Sequence, residues 1–109
     1  MSTSAVIAGT GFEGRDEVIK KHCKNGLKVI LGREPNNKYD ENAIAVFIVI
    51  PRLFGLLGIS KKKIGYIKRS RAKPLSKKID SGVAVSARVK SFYAPEGREY
   101  PRVTIELNY

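Results

Sequence analysis

Tyr39 and Asp40 stand side by side in a polar run, Arg33–Ala43, that also holds Asn36, Asn37, Glu41 and Asn42. An aromatic ring beside amide and carboxylate groups can stack a flat ligand and hydrogen-bond its edge. The run also has turn chemistry: Pro35 presets φ, and Asx side chains bond nearby backbone and tolerate left-handed conformations. It is wedged between two apolar runs, Leu27–Leu31 and Ala43–Ile50. Loops held by rigid strands are where binding groups concentrate; a plain connection with Tyr39 folded over a barrel end is the bland alternative. A second glycine-rich stretch, Gly9-Thr10-Gly11-Phe12-Glu13-Gly14, matches neither phosphate-loop spacing. It reads as a strand-to-helix turn that presents Phe12.

Little else could do catalysis. Paired carboxylates, a Ser-His-Asp set and a Walker loop are all missing from the sequence, and a single histidine leaves little acid–base chemistry near neutral pH. A nuclease built on Asp40, Glu41 and Lys63 is imaginable and is set aside. His22 and Cys23 are too few for zinc, which wants about four ligands. The one cysteine cannot form an internal disulfide. The expectation is a non-enzyme with no catalytic residues, no metal and no cofactor.

The 109 residues, read as a single domain over 1–109, carry a net charge of +11, which attracts polyanions, chiefly nucleic acid. The charge is uneven: Lys61, Lys62, Lys63, Lys68, Arg69, Arg71, Lys73, Lys77 and Lys78 fall between Asn42 and Ile79, where no acid occurs. A solvated basic face is the bland reading. No amphipathic helix with bulky aromatics accompanies the lysines, as a membrane surface would require. The longest apolar run falls short of a membrane span, and the start of the chain lacks a signal-peptide pattern. A soluble cytoplasmic protein is expected.

These groups need a scaffold. Ser4–Ala8 reads as a strand, Arg15–Cys23 as a short helix ended by Asn25-Gly26, and Leu27–Arg33 as a strand. Asn42–Ile50 is apolar on both faces, so it is placed centrally. Pro51–Ser60 is read as an apolar hairpin excursion. Its Leu53, Phe54, Leu56 and Leu57 either fold back on the domain or form a protein-interaction or self-association surface. Lys63–Ile67 is a short strand with Ile64 and Tyr66 on one face. Ser70 caps a helix over Arg71–Asp80, with Pro74 tolerated only in its first turn. Val83–Phe92 and Arg102–Leu107 are strands joined by the turn signal Ala94-Pro95-Glu96-Gly97. The fold class is therefore mainly β with two helices, a small OB-like or SH3-like barrel of about six strands.

Ile7-Ala8-Gly9-Thr10-Gly11-Phe12, the string Arg33–Val46 and Lys63-Ile64-Gly65-Tyr66-Ile67 before a helix together resemble the HIRAN domain family. The resemblance runs from about Val6 to Leu107. HIRAN domains occur in some Swi/Snf-type remodelling and fork-repair helicases and as stand-alone bacterial and phage proteins, whose length this chain resembles. The resemblance implies an OB-like barrel that binds the 3′ end of single-stranded DNA. By position, Phe12 and Tyr39 would hold the terminal base, Asp40 would accept from the 3′-hydroxyl, and Asn37 would contact the terminal nucleotide. Lys68 or Arg69 would meet phosphates, and Phe92 or Tyr93 would stack a neighbouring base. Gly11 stands where the family's DNA-end binder has a basic residue. A general binder of single-stranded DNA or RNA, without end preference, is the alternative within the same class.

Overall fold

The computed structural model describes residues 2–51, 56–93 and 101–109, with backbone alone at Pro51. Among the described residues, six strands and two helices follow in the order β1 (Ser2–Ala8), α1 (Arg15–His22), β2 (Lys28–Arg33), β3 (Ile44–Pro51), β4 (Ile59–Ile67), α2 (Arg69–Asp80), β5 (Ser86–Tyr93) and β6 (Arg102–Asn108). All strand pairs are antiparallel, and the sheet closes as a barrel in the order β1-β4-β3-β2-β5-β6. Closure leaves no free sheet edge.

Alternation decides what the barrel swallows. On β3, Ile44, Val46 and Ile48 point inward and are fully buried, whereas Phe47 and Val49 are half-buried on the outer face. Ile105 and Leu107 of β6, Val89 of β5 and Ile7 of β1 complete the interior. Each such side chain contributes roughly 1.5–3 kcal/mol of burial. Cys23 is buried in the same core, and burial pushes its thiol up to about 11. In a closed barrel no strand is more central than another, so the apolar outer face of β3 reflects its cover instead: Ala45 is buried there and Phe47 and Val49 half-buried.

Helix α2 differs from its expected form. It starts at Arg69, its N-cap is Lys68, and Ser70 lies inside the first turn without capping it. Pro74 sits at the sixth helical residue, where its missing N–H deprives the Ser70 carbonyl of a partner. Burial of Ala72, Leu75 and Ser76, with Ile79 half-buried, anchors the helix despite that loss. Strand β5 begins at Ser86 because the chain before it is still engaged with the helix. The N–H of Gly82 bonds the Ile79 carbonyl and that of Val83 the Lys78 carbonyl. The described β3–β4 pairing ends with Pro51 opposite Ile59. Leu56, Leu57 and Ile59 are exposed there rather than folded back. Leu53, Phe54 and the Ala94–Gly97 turn lie outside the described residues.

The strand β4 contains a bulge that matters for the site. Val46 opposes Gly65 but Phe47 opposes Lys63, so Ile64 is an extra residue. Ile64 therefore turns into the core while Tyr66 and Lys63 both face outward. This corrects the expectation that Ile64 and Tyr66 share a face.

Candidate nucleic-acid interface

The Glu34–Ala43 loop is built by its own polar side chains. Asn37 Oδ1 accepts from the backbone N–H of Tyr39 at 2.9 Å and of Asp40 at 3.1 Å. Asp40 Oδ1 accepts from the N–H of Asn42 at 2.9 Å. Two successive Asx turns of this kind replace backbone pairing. The Glu34 N–H donates to the Ala43 carbonyl at 3.0 Å and closes the base of the loop. Tyr39 stands at its apex, 77% exposed.

Helix α2 fixes the loop from the side. Arg69 Nη2 donates to the Tyr39 carbonyl at 2.7 Å, and its Nε lies 3.5 Å from Asp40 Oδ2. Thus one carboxylate oxygen of Asp40 shapes the loop. The other meets a guanidinium at a distance too long for a strong ion pair.

Beneath the loop, Glu34 ties together three neighbours. Asn37 Nδ2 donates to Oε1 at 3.0 Å, Tyr66 Oη to Oε1 at 3.0 Å, and Lys63 Nζ to Oε2 at 3.1 Å. Lys63 also donates to Tyr66 Oη at 2.9 Å. Burial raises the Glu34 carboxyl, but the bonds from Asn37, Lys63 and Tyr66 outweigh it and hold the group below its ordinary value. The Tyr66 bond leads in holding the Lys63 ammonium above its ordinary value, against a smaller opposing effect of burial.

The facing wall is the Gly9–Gly14 turn. Gly9 and Gly14 both take φ of 74°, a left-handed conformation suited to glycine. Thr10 Oγ1 donates to the Pro101 carbonyl at 2.7 Å and moors the turn to the start of β6. Arg15, at the start of α1, is buried. It donates to the Gly9 carbonyl at 3.0 Å and to Glu13 Oε2 at 3.3 Å, and its guanidinium lies 5.4 Å from the Tyr66 ring centre. Phe12 projects from this turn, 68% exposed.

Between the two loops runs an open groove with three adjoining hollows, and Tyr39 is a wall of each. One of about 530 Å³ is bounded by Ala8, Phe12, Arg15, Tyr39 and Tyr66. A second of about 200 Å³ is bounded by Asn37, Asp40, Ile67 and Arg69. A third of about 420 Å³ lies beyond Tyr39 toward Glu41, Arg69 and Lys73. The floor exists because β1 and β4 approach closely at Gly65, where a Cβ would run into the Ala8 carbonyl oxygen.

Phe12, Asn37, Tyr39, Asp40 and Arg69 are therefore brought together. Asn37 lines the groove, but its oxygen and one amide hydrogen are spent inside the loop. Lys68 is exposed at the N-cap of α2, its N–H on the Val6 carbonyl, and lines none of the three hollows. Phe92 and Tyr93, also outside them, sit opposite Val103 and Arg102, on the strand end reached by the Thr10–Pro101 bond. Tyr66 and Arg15 line the groove and Glu34 braces its loop from beneath; sequence reasoning missed all three as site residues. The bulge that exposes Tyr66 has no clear sequence signature, and nothing local shows that Arg15 folds inward. Among the described residues, no group of three or more His, Cys, Asp or Glu could hold a metal ion, and no helix is long and apolar enough to cross a membrane. The site offers ring faces, cations and the carboxylates of Asp40, Glu41 and Glu13.

The HIRAN domain family model matches residues 2–107. Among solved structures, the HIRAN domain of human HLTF aligns with a TM-score of 0.66 at 21% identity, covering 97% of this chain and 72% of that one. A crystal structure of a protein from Lactobacillus plantarum aligns with a TM-score of 0.68 at 21% identity, covering 98% and 95%. At that identity the two structures speak to the fold. No curated protein matches the sequence.

Proposed function

The chain belongs to the HIRAN domain family, and from that premise and the groove we propose a non-catalytic module that holds the 3′-hydroxyl end of single-stranded DNA. Family membership supports DNA binding in the coarse sense; the end preference is our reading of the site. The observation that carries it is the placement of two exposed rings, Phe12 and Tyr39, on opposite walls of one groove, with Asp40 beside the second.

A terminal base stacks against these rings, each worth roughly 1–3 kcal/mol and indifferent to sequence. Asp40 Oδ2 accepts a hydrogen bond from the hydroxyl, and the same carboxylate repels a terminal phosphate. Arg69 is 76% exposed, so a phosphate can reach its guanidinium while Nη2 stays on the Tyr39 carbonyl. Lys68 and Lys73 add sequence-independent attraction. RNA is the competing ligand, and distinguishing it requires a contact to the 2′-hydroxyl.

A second reading, docking of another protein, is favoured by the exposed Leu56, Leu57 and Ile59 at the hairpin end. Salt separates the two. Anisotropy titrations of labelled single-stranded DNA and RNA over a salt series, with wild type and Tyr39→Ala, test the proposal. Affinity that falls steeply with salt and drops about tenfold or more in the variant supports groove binding. Absence of binding at low salt overturns it.

A further inference from the structure

The outer face of β3–β4 continues the groove floor beyond Tyr66, toward Phe47 and Lys61. Tyr66 opposes Ala45, Lys63 opposes Phe47, and Lys61 opposes Val49. All of these strand positions face outward, so rings and cations alternate along one line: Tyr66, Lys63, Phe47, Lys61. Each two-residue step advances about 6.6 Å, so the line runs roughly 13 Å from the groove toward the hairpin end.

Phe47 is seated in a particular way. It lies against Gly32 of β2, where a Cβ would come within 3.1 Å of the ring. Glycine therefore lets the ring rest on the neighbouring strand. Lys61 Nζ is 4.5 Å and Lys63 Nζ 5.9 Å from the ring centre. Lys63 is shared with the Glu34–Tyr66 cluster and is partly neutralised by Glu34. Lys61 has no acidic partner among the described residues, and its exposed side chain can leave the ring for a phosphate at little cost. A ring flanked by one movable cation, Lys61, and one held in place, Lys63, contiguous with a groove of the same make-up, suits a base and its phosphate.

We propose that this β3–β4 face is a second binding segment for single-stranded DNA, with a base over Phe47 and its flanking phosphates on Lys61 and Lys63, extending the strand whose end lies in the groove. The inference rests on the groove reading, so its test must separate the two. Anisotropy on labelled oligomers of roughly 3 and roughly 10 nucleotides, with Lys61→Ala, Phe47→Leu and Tyr39→Ala, does so. Circular dichroism and melting confirm folding; Lys61→Ala, on an exposed side chain, keeps the test valid if Phe47→Leu does not fold.

The expected result is that Lys61→Ala and Phe47→Leu each weaken the long oligomer about fivefold while leaving the short one unchanged. Lys61→Ala also lowers the salt slope on the long oligomer by about 0.7. Tyr39→Ala weakens both lengths. If Tyr39→Ala weakens both lengths and the β3–β4 variants change neither, the second segment is overturned and the groove stands. If the β3–β4 variants weaken the long oligomer while Tyr39→Ala changes nothing, the face binds DNA and the groove reading fails.

Discussion

Arg69 donates to the Tyr39 carbonyl at 2.7 Å and so ties the first turn of α2 to the apex of the loop that carries the exposed ring. It fixes the backbone at Tyr39 and leaves the ring itself free of the helix. The same guanidinium stands beside Asp40, so one residue both sets the loop and faces the space where a phosphate would lie.

Arg69→Ala should therefore lower affinity for single-stranded DNA about tenfold while changing stability by less than about 1 kcal/mol, since the side chain is largely exposed. Arg69→Lys should recover charge but not the two-point hold on Tyr39 and Asp40, and so rescue only part of the loss. Anisotropy and thermal melts on the same samples check both statements.

Glu34 makes the loop acid-sensitive. Its folded carboxyl lies below the ordinary value of 4.5, held there by Asn37, Lys63 and Tyr66 against burial. A depressed carboxylate contributes stability that is complete above the unfolded value and is lost as pH falls through the folded one. Stability of the wild type should thus decline from about pH 4.5 downward, and Glu34→Gln should flatten that decline while lowering stability near neutrality by about 1 kcal/mol. Chemical denaturation over a pH series measures it.

Two glycines should respond differently to one methyl group. At Gly65 a Cβ meets the Ala8 carbonyl oxygen and Ile7 Cγ2, with no room to yield. Gly65→Ala should cost about 3 kcal/mol or more and disturb the groove floor. Gly82, at φ of 92° with open space around it, should cost only about 1 kcal/mol for the same change. Melting temperatures rank the pair.

The strands and their core were legible because alternation and apolar runs report burial directly, as in Val103, Ile105 and Leu107. The Asn37–Asp40 turn was legible because its side chains make local bonds. Features set by long-range packing were not. The bulge at Ile64 turns Tyr66 outward, Arg15 folds under the Gly9 turn, and α2 starts two residues early, carrying Pro74 in its interior. In each case a tertiary contact outweighs the local signal: burial of Ile64, the Gly9 carbonyl, and the core contacts of Ala72 and Leu75.

The most direct test of the central claim is anisotropy with two single-stranded DNA oligomers of one sequence, ending in a 3′-hydroxyl or a 3′-phosphate, against wild type and Asp40→Asn. The expected result is tighter binding of the hydroxyl end by about tenfold, with that preference largely lost in the variant. Equal affinity of the wild-type protein for both ends would contradict an end-recognising pocket at Tyr39 and Asp40.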